Sequence, residues 1–365
     1  MPEGTVTFAL TGDVMLGRGV DQILPHPGDP ALREDYVHDA REYVALAEAV
    51  NGPVPRPVDA TWPWGEALPV LERAAPDVRV LNLETAVTAD GDFAPGKAVH
   101  YRMHPANLPC LTAARPDVCA LANNHVLDFG PRGLTRTLTA LAAAGLRTAG
   151  AGRDTDAARR PAAVPLRTGG RALVFSYGLP SSGIPHHWAA TTGRPGVALL
   201  TEDALRDLAD RLRRLRRPGD LVVVSVHWGP NWGYAVSHAE TRLAHELVDA
   251  GADIVHGHSS HHPRPLEIHR GRLVLYGCGD FVDDYEGIGG QERYRDDLRL
   301  LHLASLDAAT GRLTGLRLVP FQARRMRLEP ASRQDTAWLR TTLAPRARGA
   351  RVEETADGTL AVRAL

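Results

Sequence analysis

Short apolar runs, each stopped by glycine or by polar residues, alternate along this chain with longer stretches of helical period. Thr5-Val-Thr-Phe-Ala-Leu10 opens with polar–apolar alternation and reads as the first strand. The runs 78–81, 117–122, 172–176, 221–226, 252–255 and 273–276 read as further strands. Leu221-Val-Val-Val-Ser-Val226 is apolar on both faces, as a strand in the middle of a covered parallel sheet must be. Residues 201–217 give the clearest helix. Thr201 suits its cap, Glu202 and Asp203 suit its positive end, and Leu205, Leu208, Leu212 and Leu215 form one stripe. Weaker stripes run through Leu134, Leu138 and Leu141 to a stop at Gly145, and through Leu243, Leu247 and Val248 to Gly251. Another helix starts at Trp62, passes Leu68, Val70 and Leu71, and stops near Pro76.

Strands alternating with helices predict an α/β fold built on a parallel sheet. Late in the chain, 298–306 and 313–319 read as a hairpin turning at Thr310-Gly311. A short helix around Trp338 and Leu339 precedes a small hairpin with Asp357-Gly358 at its turn. These set a main domain over 1–325 and an extension of helix and hairpin over 326–365. Within the main domain, 21–60 is rich in Pro, His and charge and reads as an irregular insertion or lid.

Composition narrows the function. With 365 residues, 44% of them hydrophobic, the chain can bury a large core. A net charge of −1 gives no basic field for nucleic acid or an anionic membrane. Arg211, Arg213, Arg214, Arg216 and Arg217 cluster, but a helix C-terminus and a solvated face account for them. Cys110, Cys119 and Cys278 form no C-x-x-C pair, so neither a zinc knuckle nor a disulfide framework is expected. No apolar run approaches the ~18 residues of a membrane span, and the start lacks a basic leader. A soluble, cytoplasmic protein without membrane insertion is the expectation, of undetermined oligomeric state.

The chemistry gathers at strand ends. The run 252–255 delivers His256, His258, His261 and His262 within seven residues, and neutral imidazole is the commonest ligand for transition metals. Thr11-Gly12-Asp13 puts a carboxylate at the end of the first strand, and Asn82-Leu83-Glu84 does the same for the second. Asn123-Asn124-His125 follows the third, offering a carbonyl oxygen for a metal and an imidazole to protonate a leaving group or hold an oxyanion. His227, with Trp228, Trp232 and Tyr234 beside it, suggests a ligand next to an apolar wall. A loop at 180–188 could close another wall, and Asp280, Asp283, Asp284 and Glu286 form an acidic group after a later strand. Oxygen and nitrogen donors without cysteine suit Mn, Fe or Zn. Such a centre polarises a phosphoryl or carbonyl oxygen and acidifies water.

In this order, Gly12-Asp13-Val-Met-Leu-Gly-Arg18, Asn82-Leu-Glu84-Thr, Ala122-Asn-Asn-His125, His227-Trp-Gly229 and Gly257-His258 through His261 resemble the CapA family, named for poly-γ-glutamate capsule synthesis. That family lies in the calcineurin-like metallophosphatase superfamily. The resemblance runs over roughly 5–325. It implies a four-layer α-β-β-α sandwich with one or two divalent ions at the strand ends. By the same resemblance Asp13 is the first-motif ligand and Glu84 stands where the superfamily has a bridging carboxylate. Asn124 and His125 match the Asn-His of the third motif, His227 the fourth-motif ligand, and His258 with His261 the final pair. The expected metal set is thus Asp13, Glu84, Asn124, His227, His258 and His261. The chain departs from the superfamily pattern at Met15, where a histidine is usual, and in spacing the final pair by three residues rather than two.

The expected function is a metal-dependent hydrolase acting on a peptide-like, poly-γ-glutamate-related substrate or a phosphorylated one, with Asp13 and His125 as catalytic groups. Two alternatives stand beside it. One is an epimerase acting at a peptide Cα in a natural-product pathway, with Asp13 and His302 flanking the carbon. The other is a non-catalytic component of polyglutamate capsule assembly.

Overall fold

Val6 to Val14 are all buried, and the opening strand that holds them, Thr5–Val14, runs four residues past Leu10. The reason is its place in the sheet. Leu298–Asp307 flanks it antiparallel, Val78–Leu83 flanks it parallel, and Asp280–Val282 pairs with its last residues. The structure is a computed structural model that describes residues 4–365.

A ten-stranded mixed sheet follows from these pairings. Its order is Ala350–Glu354, Leu360–Ala364, Leu313–Ala323, Leu298–Asp307, Thr5–Val14, Val78–Leu83, Val118–Ala120 and Arg147–Ala149, with Asp280–Val282 and Leu328–Pro330 attached beside this path. A second sheet orders Leu266–His269, Arg272–Leu275, Ile254–His258, Leu221–His227, Arg171–Gly178 and Ala162–Pro165. Its four central strands are parallel, as the two-sided apolar run at 221–226 predicts.

Alternation along single strands shows how the sheets stack. Val223 enters the core between the sheets with Phe8, Leu10, Val80, Val118 and Val174. Its neighbours Val222 and Val224 point the other way, to Leu208 and Leu212 of the helix Glu202–Leu215 and Leu247 of the helix His238–Ala250. On the far side, Leu81, Leu83, Leu301 and Leu303 pack under Val44, Leu71, Leu134 and Leu141 from helices. Helix, sheet, sheet, helix: this is the four-layer sandwich.

Two local expectations change. Residues 21–60 contain the regular helix Arg41–Asn51, whose Val44 and Ala47 enter the outer core. Its charged and proline-rich flanks hide so short an apolar face. The Trp62 helix is split into a 3-10 turn, Trp62–Trp64, and a helix, Ala67–Ala74, because Gly65 takes φ +45 between them. At the other end of the chain, the hairpin of 350–364 pairs with Leu313–Ala323 and sends Leu360 and Val362 into the core between the sheets.

Candidate metal centre

The parallel strands of both sheets end on one side, and their ends bring Asp13, Glu84, His125, His227 and His258 into one buried cluster. Close approach of two backbones makes this possible. A Cβ on Gly12 would sit 1.7 Å from the Gly279 carbonyl oxygen, so only glycine lets the strands carrying Asp13 and Asp280 meet. After His258, Ser259 adopts φ +103, a strained value for a residue with a side chain, and its N–H donates to Asp13 Oδ2 at 3.1 Å.

Hydrogen bonds fix which nitrogen of each ring faces the cluster. Burial pushes His256 down to about 4, so it is neutral near pH 7. Its Nε2 donates to the Thr11 carbonyl at 2.8 Å, which leaves Nδ1 to accept from the Ser225 hydroxyl at 3.1 Å. Ser225 Oγ then accepts from His258 Nε2 at 2.8 Å. His258 is therefore left with a bare Nδ1, which lies 3.7 Å from Asp13 Oδ1. His227 Nε2 donates to Asn124 Oδ1 at 2.9 Å, so it too presents a bare Nδ1, 2.7 Å from that of His258. Burial holds both imidazoles well below their usual value. Two lone pairs that close repel unless a proton or a metal cation lies between them.

The carboxylates say the same thing. Burial, then the nearby Asp280, raises Asp13 to about 7. Burial, then Asp13 and Asp280, pushes Glu84 well above the carboxylate range. Ionised together they need a positive charge among them. Donor atoms of Asp13, His227 and His258 lie within 4.8 Å of one another. These residues fit a divalent ion, and no thiol competes, since burial raises the Cys278 thiol well above its usual value.

Asn82 holds the carboxylates in place, donating to Asp13 Oδ1 at 2.7 Å and Glu84 Oε2 at 3.1 Å. Asn123 braces it in turn, donating to Asn82 Oδ1 at 3.0 Å and accepting the N–H groups of His125 and Val126. Both asparagines stand in the motifs that carry Glu84 and His125, and neither is in the metal set expected from the sequence. Ser225, two residues before His227 on the same strand face, was also missed. Strand periodicity is the signal that could have found it.

The remaining expected residues fall in different places. Asn124 meets His227 through its side-chain oxygen. His261 contacts Asp280, with Nδ1 3.1 Å from Oδ1, and although burial disfavours its charge, Asp280 outweighs this and raises it. His302 does not join the cluster. It pairs across strands with Leu10, three residues before Asp13, and its ring lies in the core between the sheets near His256.

His125 stands at the edge of the cluster with Nε2 3.8 Å from Glu84 Oε1. Its Nδ1 lies 2.7 Å from Asp128 Oδ2. Burial would raise Asp128, but His125 and Lys97 outweigh it and hold the carboxylate ionised. An ionised carboxylate has no proton to give, so the contact with Asp128 favours a proton on Nδ1 and a bare Nε2 toward the cluster, against Lys97 Nζ, which lies 3.0 Å from the same Nδ1. Lys97 pairs with Asp128 and lies 5.4 Å over the ring of Trp188. Trp188 lines a cavity of about 480 Å³ together with Phe93, Phe129 and His187. Near His261, Trp232 stacks on His262 with centroids 6.0 Å apart, and His262 stacks on Tyr294 at 4.6 Å. Of the aromatics expected beside His227, Trp232 and Tyr234 meet His262 here, whereas Trp228 packs in the outer core against Tyr276.

Three of the five clustered arginines pair with carboxylates: Arg211 with Asp207 and Asp156, Arg213 with Asp210, and Arg216 with Asp253. Among the described residues, no helix is long and apolar enough to cross a membrane.

Residues 7–285 match the family described as bacterial capsule synthesis protein PGA_cap. Over 342 residues the chain is 59% identical to a probable polyglutamine synthesis accessory protein of Mycobacterium tuberculosis, covering 93% of this chain and 90% of that one. It is 28% identical over 297 residues to the PGA biosynthesis protein CapA of Bacillus subtilis, covering 80% of this chain and 66% of that one. Among solved structures, a phosphatase from Mycoplasma pneumoniae aligns with 90% of this chain and 95% of its own at 11% identity and a TM-score of 0.45. The family match spans every strand end that builds the cluster, from Asp13 to Asp280, and the chain belongs to the bacterial capsule synthesis protein PGA_cap family.

Proposed function

We propose that the chain is a metal-dependent hydrolase whose substrate is a glutamate-containing, peptide-like polymer. The observation that carries this reading is the pair of bare imidazole nitrogens of His227 and His258, 2.7 Å apart beside Asp13. Asp13, Glu84, His227 and His258 would hold a divalent ion, which supplies Lewis-acid polarisation of the scissile group and of water. Asn82 and Ser225 keep the carboxylates and His258 aimed at it. Asp128 holds the proton on His125 Nδ1, so that Nε2 takes a proton from the attacking water and returns it to the leaving group. Lys97 keeps Asp128 ionised through that cycle.

The substrate class rests on the relatives, whose names place them in polyglutamine or PGA synthesis. A phosphorylated substrate would use the same residues. The epimerase reading loses support, because His302 lies in the core between the sheets instead of across a cleft from Asp13.

The test is turnover of poly-γ-glutamate and of a generic phosphodiester by protein reconstituted with Mn, Fe or Zn, beside His227→Ala. Cleavage that needs metal and dies in the variant supports the proposal, and the substrate cleaved names the class. Folded, metal-loaded protein that cleaves neither, yet binds poly-γ-glutamate, would replace it with a non-catalytic role in assembly.

A further inference from the structure

A cavity of about 480 Å³ lies beside the Asp128–His125 pair, a size within the ~300–1,000 Å³ of ordinary ligand pockets. The loop 91–95, the start of the helix Gly130–Ala143 and the loop 187–195 build it. Its floor is apolar, since Leu127, Phe129 and Trp188 are buried there. Two contacts tie this floor to the proton-handling pair. Lys97 Nζ lies 3.0 Å from His125 Nδ1 and 5.4 Å from the centroid of the Trp188 ring. Ala94, another lining residue, donates its N–H to the Asp128 carbonyl at 2.8 Å. A group seated in the cavity is therefore held next to His125.

The mouth carries positive charge that the protein leaves unmatched. Arg194 lines it and has no carboxylate within ion-pair distance among the described residues; its Nη2 donates only to the Ala189 carbonyl, at 3.2 Å. Arg132 reaches Asp90 at no closer than 3.5 Å, and the same carboxylate oxygen is held by Arg136 at 2.9 Å. One acid, Asp92, stands among the lining residues against these two guanidinium groups. The chain as a whole has a net charge of −1, so the excess is local. It also differs from the cluster at 211–217, where three of the five arginines are paired.

An apolar floor below free guanidinium groups selects a ligand that has both methylenes and carboxylates. Arginine takes carboxylate and phosphate alike through charge-assisted hydrogen bonds. A bare phosphate would leave the Phe129 and Trp188 surface unused, whereas glutamyl side chains would cover it.

We propose that this cavity is a binding subsite for an acidic peptide chain, with carboxylates on Arg132 and Arg194 and methylenes over Leu127, Phe129 and Trp188. The inference rests on the reading of the substrate as a glutamate-containing polymer, and it places that polymer on the His125 side of the cluster.

Binding is measured calorimetrically on chelator-treated protein, where the proposed reaction does not consume the ligand. The probes are γ-linked and α-linked glutamate oligomers and a γ-linked glutamine oligomer of the same length. The acidic oligomers should bind and the neutral one should not, and the linkage bound more tightly names the source of the peptide. Arg194→Glu and Arg132→Glu should each weaken Kd by about 10-fold or more, as loss of a charged hydrogen bond requires. Arg214→Glu, in the other arginine cluster, should leave Kd unchanged. Both cavity positions are exposed, so either variant can stand in if the other fails to fold. Wild-type affinity in the folded cavity variants, an equal loss in Arg214→Glu, or no binding of either acidic oligomer would overturn the subsite. Protein that binds through Arg194 yet cleaves nothing when metal-loaded keeps the subsite and loses the hydrolase. Cleavage with unchanged KM in both cavity variants does the reverse.

Discussion

Ser225 Oγ lies 2.8 Å from His258 Nε2, and that contact decides which nitrogen His258 turns toward Asp13. The hydroxyl also reaches His256 Nδ1 at 3.1 Å, so one serine sets the protons of two rings. Ser225→Ala frees His258 to take the other tautomer. Metal affinity should fall about 10-fold, within the range for outer-sphere partners of metal ligands. Competition with a chromogenic chelator measures it, and unchanged affinity would remove Ser225 from the site's architecture.

The Asp128–His125 pair should behave as a proton-handling unit. Asp128→Asn keeps the shape but lets the amide donate, which puts the proton on His125 Nε2. We expect about a 100-fold loss in kcat on whichever substrate is cleaved, with KM nearly unchanged. A loss confined to KM would assign Asp128 to substrate binding.

Gly12 is a steric requirement. Gly12→Ala puts a methyl 1.7 Å from the Gly279 carbonyl oxygen, so the strands holding Asp13 and Asp280 must separate. Destabilisation of about 3 kcal/mol or more should follow, together with loss of metal. Urea unfolding beside metal analysis checks both. Gly315→Ala, where a Cβ meets nothing within 4 Å, is the control.

His302 gives a pH-dependent stability with a defined sign. Burial, aided by His256, depresses it to about 3, and its Nδ1 has no partner among the described residues. In the unfolded chain it titrates near 6.5, so between ~6.5 and 3 the unfolded state binds the extra proton. Stability from this group is present above about pH 6.5 and is lost as pH falls, by about 1.4 kcal/mol per pH unit. His302→Leu deletes this contribution. Its loss of stability between pH 7.5 and 5 should be smaller than wild type's by about 2 kcal/mol, from the ~1.5 units below 6.5. Equal slopes would mean that His302 finds a partner in solution. Activity at pH 7.5 should persist, since the ring is outside the cluster.

Much of this protein is written locally. Thr201 at the head of its helix, the two-sided run at 221–226, and a carboxylate, amide or imidazole at each strand end follow from propensity and period. These depend on neighbours a few residues away, which a sequence displays directly. The helix Arg41–Asn51 escaped because only Tyr43, Val44 and Ala47 are buried, too few for a periodic signal between charged flanks.

Which strand-end residues meet is a different kind of fact. Asp13 and Ser259 are 246 positions apart, yet joined by a hydrogen bond, and Asp280 enters the cluster because Gly12 and Gly279 let two backbones touch. In the sequence His261 ranks with His258 as an expected metal ligand, and His302 enters only as a base of the epimerase reading. The stacking of two sheets set His261 on Asp280, close enough to Asp13 for their charges to act on each other, and turned His302 into the core between them. Sequence determined the side chains available at each strand end. Long-range packing decided which of them share one buried space, because register between sheets is set by the whole core and not by any local run of residues.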